Sequence, residues 1–325
     1  MRNFCDLFTL VSVFLLITTS SLSLRIVRSP AEGSSEASPV SNTGSEKCGI
    51  RKRTDNIIPD VDPYAQFGEF PWIVAILQTS PAKANGEQTL GFICSGSLLS
   101  PSVVLTAAHC VNNVDPSTLR IRAGVYDMNG DTNDTLPHQE RSVKKISIHG
   151  NYSHKLLLND LALLNMTEPF HFADHIGRIC APLGLTPSPD SYDSTKCIVA
   201  GWGKNRQADE GTVPQKLKKV YVVTVPNDEC QNSLRSTRLG GKFLLHPSFM
   251  CAREEDPYNM VCQGDGGGPL VCSLKSSPEI YVQVGVTSWG VGCSSAIPGI
   301  YAALITNTEW LNNEFNNLSG TTTSS

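Results

Sequence analysis

A series of short apolar runs constrains the fold of this chain more than any other feature. The clearest of them are FPWIVAIL, SVVLTAA, LRIRAGVY, KKVYVVTV and IYVQVGVTSW. Clusters of Gly, Pro, Asn and Asp separate the runs, which is typical of β-strands joined by turns. The pattern predicts an all-β barrel or sandwich, and the length of the chain suits two packed barrels. The exception is NTEWLNNEF, Asn307–Phe315, where Ile305, Trp310, Leu311 and Phe315 indicate an amphipathic closing helix.

The two ends of the chain differ from this central region. Residues 1–24 combine Arg2, the apolar run LFTLVSVFLLIT and small residues, which predicts a secretory signal. The alternative, a membrane span, needs about 20 apolar residues, and the run is shorter. Residues 25–47 are rich in Ser, Pro, Gly and Glu, so we expect a flexible pro-segment there. The folded domain is predicted at 48–318, followed by a frayed tail at 319–325.

Cysteine usage also favours secretion. The chain has eleven cysteines, and ten remain when Cys5 of the predicted signal is set aside, an even number that suits an oxidising compartment. Four glycosylation sequons point to the same pathway, at Asn133, Asn151, Asn165 and Asn317. With 40% apolar residues, 17% charged residues and a net charge of -4, the chain has neither a nucleic-acid-binding nor a disordered composition. We therefore expect a soluble extracellular protein with no nucleic-acid or membrane partner.

The sequence contains no Cys/His cluster with the spacing of a metal site, and we expect neither a metal nor a cofactor. The acidic stretch DMNGDTND, Asp127–Asp134, leaves calcium binding open. It lacks a recognised ligand pattern, so a solvated acidic turn is the favoured interpretation.

Five segments in order along Cys48–Phe315 resemble the chymotrypsin-like serine protease family. They are LTAAHC, NDLALL, CIVAGWG, GDGGGPLVC and TSWGVGC. The resemblance implies two packed six-stranded antiparallel barrels with a short C-terminal helix. It also implies a disulfide pattern that uses all ten remaining cysteines. The implied pairs are Cys48 with Cys180, Cys94 with Cys110, Cys197 with Cys272, Cys230 with Cys251, and Cys262 with Cys293.

The resemblance places the vestige of a catalytic triad at His109, Asp160 and Gly266. In the family a serine attacks the scissile carbonyl, histidine takes its proton and aspartate orients the imidazole. Gly266 stands at the serine position and has no atom that can attack. The backbone N–H of Gly264 belongs to the implied oxyanion hole, and we expect the three consecutive glycines from Gly266 onwards to loosen that loop.

The resemblance also assigns a specificity pocket, with Met260 at the position where trypsin-like members carry an aspartate. Ser288, Gly290 and Gly299 would line the same pocket, with Ser288 beneath the histidine–aspartate pair. Met260 is uncharged, so the sequence predicts that the acidic pocket base is lost.

Activation of the family by cleavage places a new ammonium on the aspartate before the nucleophile, here Asp265. The corresponding start of the mature chain falls near Pro59, with neither a basic residue before it nor the family's Ile-Val-Gly-Gly. A cut after Arg51, Lys52 or Arg53 stays open. We expect Asp265 to lack its usual partner and to find another donor or remain partly solvated.

Several stretches, including CGIRKR and LPHQERSVKKI, resemble insect non-catalytic serine protease homologues of the masquerade and prophenoloxidase-activating-cofactor type. This resemblance implies a secreted pseudoenzyme in haemolymph or venom that binds an immune protease, prophenoloxidase or a microbial surface ligand. Better-known members carry an N-terminal clip domain with six cysteines; here only Cys48 lies between the predicted signal and the protease-like region, so we expect no clip domain. Two alternatives remain: an antagonist of the same cascade, such as a venom component, and a weak peptidase that uses a water activated by His109.

Overall fold

The computed structural model describes residues 47–52, 63–82, 86, 88–130, 135–183, 189–204, 215–293 and 295–320. The predicted signal, nearly all of the predicted pro-segment, the sequon at Asn133 and the region around Pro59 lie outside the described residues. Among the helices within them, none is long and apolar enough to cross a bilayer.

The first half of the domain forms a closed antiparallel barrel of six strands. These are β1 (Ile73–Thr79), β2 (Leu90–Ser100), β3 (Val103–Thr106), β4 (Leu119–Ala123), β5 (Gln139–Ile148) and β6 (Ala162–Met166). Their order around the barrel is β1-β2-β3-β6-β5-β4. In β4 the apolar residues Leu119, Ile121 and Ala123 are buried and alternate with two arginines, as the period of a strand requires.

The second half repeats the architecture. Its strands are β7 (Tyr192–Gly201), β8 (Lys218–Val225), β9 (Phe249–Glu254), β10 (Pro269–Leu274), β11 (Ser277–Trp289) and β12 (Gly299–Ala303). They close into a barrel in the order β10-β11-β12-β9-β8-β7. The predicted all-β fold of two packed six-stranded antiparallel barrels is confirmed.

Within the described residues, three α-helices accompany the barrels: α1 (Ala108–Val111), α2 (Asn227–Arg235) and α3 (Thr308–Ser319). The predicted closing helix exists, but it begins at Thr308 after a 3-10 turn and continues to Ser319, so Ser319 belongs to the helix and not to the tail. Sequence periodicity missed this last turn because tertiary contacts hold it. Leu318 packs against the core, and its carbonyl accepts a hydrogen bond from Asn165 Nδ2 of β6 at 3.1 Å.

All five disulfides that the resemblance implies are present. Cys94–Cys110 joins β2 to α1, and Cys197–Cys272 joins β7 to β10. Each such bridge typically adds about 2–4 kcal/mol to the free energy of unfolding, so the scaffold around the cleft is strongly held.

Candidate functional site: a cleft between the two barrels

The candidate site lies where the two barrels meet. The first barrel contributes His109, on α1 directly after β3, and Asp160, just before β6. The second barrel contributes Gly266, just before β10, and Ser288, near the end of β11. The four residues are far apart in sequence, and only the packing of one barrel on the other brings them together.

Asp160 orients the imidazole of His109. Its Oδ2 lies 2.7 Å from His109 Nδ1, and its Oδ1 accepts a hydrogen bond from the backbone N–H of His109 at 2.8 Å. The hydroxyl of Ser288 donates to the same Oδ2 at 2.6 Å. Asp160 is fully buried, and these donors offset its loss of hydration. Because Nδ1 is held by the carboxylate, Nε2 is the ring nitrogen left at the cleft.

Gly266 leaves no nucleophile opposite that nitrogen. A Cβ atom built on Gly266 would lie 2.9 Å from His109 Nε2, closer than carbon atoms normally approach. The imidazole therefore occupies part of the space that a serine side chain at this position would need.

Backbone hydrogen bonds hold the loop around Gly266, and its loosening by three glycines stays a prediction. Ser95 N–H donates to Gly266 O, and Gly267 N–H donates to Thr287 O, both at 2.9 Å. Gly267 has a φ of +76°, and a Cβ on it would lie 2.2 Å from Thr106 Oγ1. Glycine is thus required at Gly267 for close packing, and the contacts around it order the loop.

Two backbone donors of this loop face no protein acceptor. Gly264 and Gly266 both line the cleft, and neither amide hydrogen-bonds to another group in the described part of the chain. These are the positions that the resemblance assigns to an oxyanion hole. They can donate to a carbonyl or carboxylate oxygen that enters the cleft.

Asp265 pairs with an ammonium from inside the chain, which is one of the two outcomes expected for a carboxylate that lacks the family's usual partner. Its Oδ2 lies 2.7 Å from Lys218 Nζ and accepts from the N–H of Cys262 at 2.9 Å. Its Oδ1 accepts from the N–H of Gly203 at 2.8 Å. The side chains of Asp265 and Lys218 are both 1% exposed. The pairing of Asp265 therefore does not require a new chain terminus.

The placement of Met260 in the specificity pocket stays a prediction from the resemblance. Met260 is fully buried and does not line the cleft, and its carbonyl accepts a hydrogen bond from Lys218 Nζ at 2.7 Å. Ser288, Gly290 and Gly299 do line the cavity. The spacing of Met260 from Gly266 does not show which side of its backbone borders the cavity. Its carbonyl is held by the buried ammonium of Lys218, a contact that the spacing does not predict.

The sequence predicted no role for two residues of this region, Lys218 and Glu254. Lys218 stands in the run KKVYVVTV, where a charged residue at the start of a strand is normally exposed. Glu254 ends β9 and lines the cavity although it is only 8% exposed. No local motif marks either residue.

Two groups of candidate metal ligands among the described residues are engaged in other contacts. The sulfurs of Cys94 and Cys110, near His109, are joined to each other in a disulfide. In the acidic stretch, Asp127 is buried and its Oδ1 accepts from Asn129 N–H at 3.0 Å, forming a turn. Residues 131–134 lie outside the described residues, so the favoured interpretation of the stretch as a solvated acidic turn stays a prediction.

Of the remaining sequons, Asn151 and Asn317 are exposed, whereas Asn165 is half-buried beneath α3.

Comparison with known proteins agrees with this geometry. The Trypsin family model matches residues 63–311. Phenoloxidase-activating factor 2 of Galleria mellonella is 38% identical over 295 residues, which cover 88% of this chain and 95% of that protein. Inactive CLIP domain-containing serine protease A28 of Anopheles gambiae is 35% identical over 250 residues, 76% of this chain and 62% of that protein.

Inactive CLIP domain-containing serine protease A8 of Anopheles gambiae is 36% identical over 251 residues, which cover 77% of this chain and 65% of that protein. The chain thus spans nearly all of the Galleria protein and somewhat less than two thirds of the two Anopheles proteins. The two barrels, the five disulfides and the family match lead to one conclusion: this chain belongs to the trypsin family of chymotrypsin-like proteins, which includes inactive insect homologues.

Proposed function

We propose that this chain is a secreted, catalytically inactive serine protease homologue that binds a protein partner and regulates it. The observation that carries the proposal is Gly266 at the nucleophile position of an otherwise ordered cleft. Removing the nucleophile of a serine protease costs roughly a factor of 10⁶ in turnover, which leaves too little activity for a processing enzyme.

The partner that we propose belongs to the cascade that activates prophenoloxidase. The name of the Galleria relative, phenoloxidase-activating factor 2, supports this assignment, as do the relatives named inactive serine proteases. An extracellular location, in haemolymph or venom, suits the five disulfides and the predicted signal at residues 1–24. We propose that 25–47 is a pro-segment and that 48–318 carries the function.

The test is to add the purified protein to prophenoloxidase and its activating protease and to measure phenoloxidase activity over a wide concentration range. An increase that saturates supports a cofactor. A decrease that saturates supports the antagonist, because the two share all their sequence features and differ only in the sign of the effect. No change at any concentration would count against both versions.

A weak peptidase is the second candidate, and the orientation of His109 favours it. The imidazole is held at Nδ1 by Asp160, and Nε2 borders the cleft, where it could take a proton from water. Turnover of a broad peptide library that disappears in His109→Ala would support this candidate. Absence of turnover in the unmodified protein would remove it.

A further inference from the structure

A cavity of about 420 Å³ lies where the start of α3 meets the loop that joins β5 to β6. It shares no lining residue with the cleft that contains His109 and Gly266. The loop contributes His149 and Asn151 to its wall, and α3 contributes Trp310. Asn151 is also the acceptor of a predicted sequon, so the attachment point of a predicted glycan borders this cavity.

A tight turn fixes Asn151 at the edge of the cavity. The N–H of Tyr152 donates to His149 O at 2.9 Å, and the N–H of Asn151 donates to His149 Nδ1 at 3.1 Å. The side-chain amide of Asn159 donates to the carbonyl of Asn151 at 2.9 Å. Tyr152 packs against the hydrophobic core, whereas Asn151 is exposed. The turn is therefore anchored on the core and presents Asn151 to solvent beside the cavity.

Two aromatic rings form the apolar part of the cavity wall. The ring centroids of His149 and Trp310 are 4.8 Å apart, and the ring planes are inclined by 47°. Burial lowers the pKa of His149, so its ring is neutral at physiological pH. Aromatic rings expose an apolar face, and the C–H groups on one face of a pyranose ring are apolar as well. This part of the wall therefore suits a sugar ring packed against it.

Polar side chains at the rim of the cavity suit the other groups of a sugar. Glu309 and Asn313 are four residues apart and therefore lie on one face of α3. Both are exposed and line the cavity, and neither side chain forms a hydrogen bond or an ion pair with another described residue. The hydroxyl and N-acetyl groups of N-acetylglucosamine can donate to the carboxylate and accept from the amide. The cavity thus offers an apolar wall and a polar rim to a single sugar.

We propose that this cavity holds the chain's own glycan, attached at Asn151, with its first N-acetylglucosamine packed against His149 and Trp310. In the attachment step, Asn151 Nδ2 loses a proton and bonds to the anomeric carbon of a donor oligosaccharide, whose lipid diphosphate leaves. The first sugar is then tethered at the edge of the cavity, so its effective concentration there is high. The bound sugar joins α3 to the loop that carries Asp160. This inference requires secretion and is independent of the partner proposed above.

Loss of the glycan should destabilise the protein only while the aromatic wall is intact. Ser153→Ala removes the sequon and leaves Asn151 in place, whereas Ser153→Thr keeps the sequon and is the matched control. In the full chain secreted from insect cells, Ser153→Ala should lower the unfolding temperature by at least about 2 °C, and Ser153→Thr should change it by less than about 0.5 °C. In a Trp310→Leu background the effect of Ser153→Ala should also fall below about 0.5 °C, because the contact is already lost.

Enzymatic trimming identifies the sugar that makes the contact. Protein from cells treated with a mannosidase inhibitor carries glycans that endoglycosidase H cuts back to a single N-acetylglucosamine. We expect the trimmed and untrimmed proteins to unfold within about 0.5 °C of each other, because the first sugar remains in the cavity. Asn317→Gln removes an exposed sequon whose asparagine does not line this cavity, and it should leave the unfolding temperature unchanged.

The proposal is overturned if mass spectrometry of glycopeptides finds Asn151 unoccupied in the secreted protein, or if trimming lowers the unfolding temperature as much as Ser153→Ala does. It is also overturned if Ser153→Ala has the same effect with and without the Trp310 side chain. If Trp310→Leu does not fold, His149→Ala replaces it in the comparison. Equal effects of Ser153→Ala in the presence and absence of the His149 ring would then overturn the proposal.

Discussion

At the residue scale, one buried lysine determines how the loop beside the cleft is held. Lys218 gives Asp265 the ammonium partner that cleavage supplies in proteases to which this chain is similar. Asp265 in turn accepts hydrogen bonds from the N–H groups of Gly203 and Cys262, on two different segments. The arrangement of the cleft therefore depends on a contact between two interior side chains.

Replacing Lys218 by Met should lower the free energy of unfolding by about 3–5 kcal/mol, because Asp265 is then left buried and unpaired. Urea unfolding measures the loss. The double variant Lys218→Met/Asp265→Asn removes both charges and should recover a large part of it. Lys196→Met, at a side chain that is 65% exposed, should change the value by less than about 0.5 kcal/mol. Equal losses in the single and double variants would contradict the pairing.

Restoring the nucleophile with Gly266→Ser should produce a poorly reactive serine. The new Cβ would crowd His109 Nε2 at 2.9 Å, and moving the ring stretches its bond to Asp160. A misplacement of about 1 Å costs roughly 10²-fold in rate. We expect a fluorophosphonate probe to label the variant at least about 10²-fold more slowly than it labels trypsin.

Gly266→Ala, which adds the Cβ without the hydroxyl, is the matched control and should not react with the probe. If the probe labels Gly266→Ser at the rate at which it labels trypsin, the imidazole adjusts freely, and Gly266 alone accounts for the lack of reactivity at this site.

At the element scale, α3 links the two barrels. It follows the last strand of the second barrel in sequence and packs on β3 and β6 of the first. Glu314 of α3 accepts a hydrogen bond from Ser147 Oγ of β5 at 2.5 Å, and Leu318 O accepts from Asn165 Nδ2. The end of the helix thus depends on the amide group of a sequon.

Glycan occupancy should differ among the three sequons in the described residues, because their asparagines differ in exposure. Asn151 and Asn317 are exposed and can carry a glycan without disturbing packing. A glycan on Asn165 Nδ2 would replace the bond to Leu318 O and separate β6 from α3. Mass spectrometry of glycopeptides from the secreted protein should find Asn165 largely unoccupied. High occupancy at Asn165 in folded protein would show that this helix end is not held by that contact.

At the scale of the whole molecule, the segment Lys47–Lys52 is tied to both barrels. Cys48 is bridged to Cys180, and Ile50 pairs with Ile280 of β11. The guanidinium of Arg51 is 7% exposed and donates to Glu69 Oε1 at 2.9 Å and to Tyr221 OH of β8 at 2.9 Å. A protease can accept Arg51 only after these contacts break.

Limited digestion of the native protein with trypsin should therefore spare the bond after Arg51. Glu69→Ala removes its main partner and should speed cleavage there at least tenfold, which corresponds to about 1.4 kcal/mol less protection. Asp174→Asn, which removes the exposed partner of Lys52, serves as the control and should leave that bond resistant. Mass spectrometry of the timed digest gives both rates.

The unfolding temperature of Glu69→Ala shows whether faster cleavage comes from local release of Arg51 or from unfolding of the whole domain. Tyr221→Phe removes only the hydrogen bond from Arg51 to the Tyr221 hydroxyl and so is a milder change. Rapid cleavage after Arg51 in the unmodified protein would contradict the observed burial.

Short sequence signals predicted an all-β fold, and the resemblance carried by five motifs predicted the two barrels and the segments that form the cleft. The run KKVYVVTV coincides with β8 and the other apolar runs overlap strands, while the segments around His109, Asp160 and Gly266 come together at the barrel interface. The even cysteine count matched a fully paired framework. Each of these features depends on residue type and order within a short stretch of chain.

The tertiary structure alone decided which charges lie inside. Lys218 reaches Asp265 across 47 positions that no motif links, and Glu254, from another strand, is buried in the same region of the second barrel. The physical reason is that a buried charge is tolerated only where partners converge on it, and that convergence is created by the packing of strands distant in sequence. Barrel closure, and not residue spacing, therefore determines the electrostatic character of the cleft.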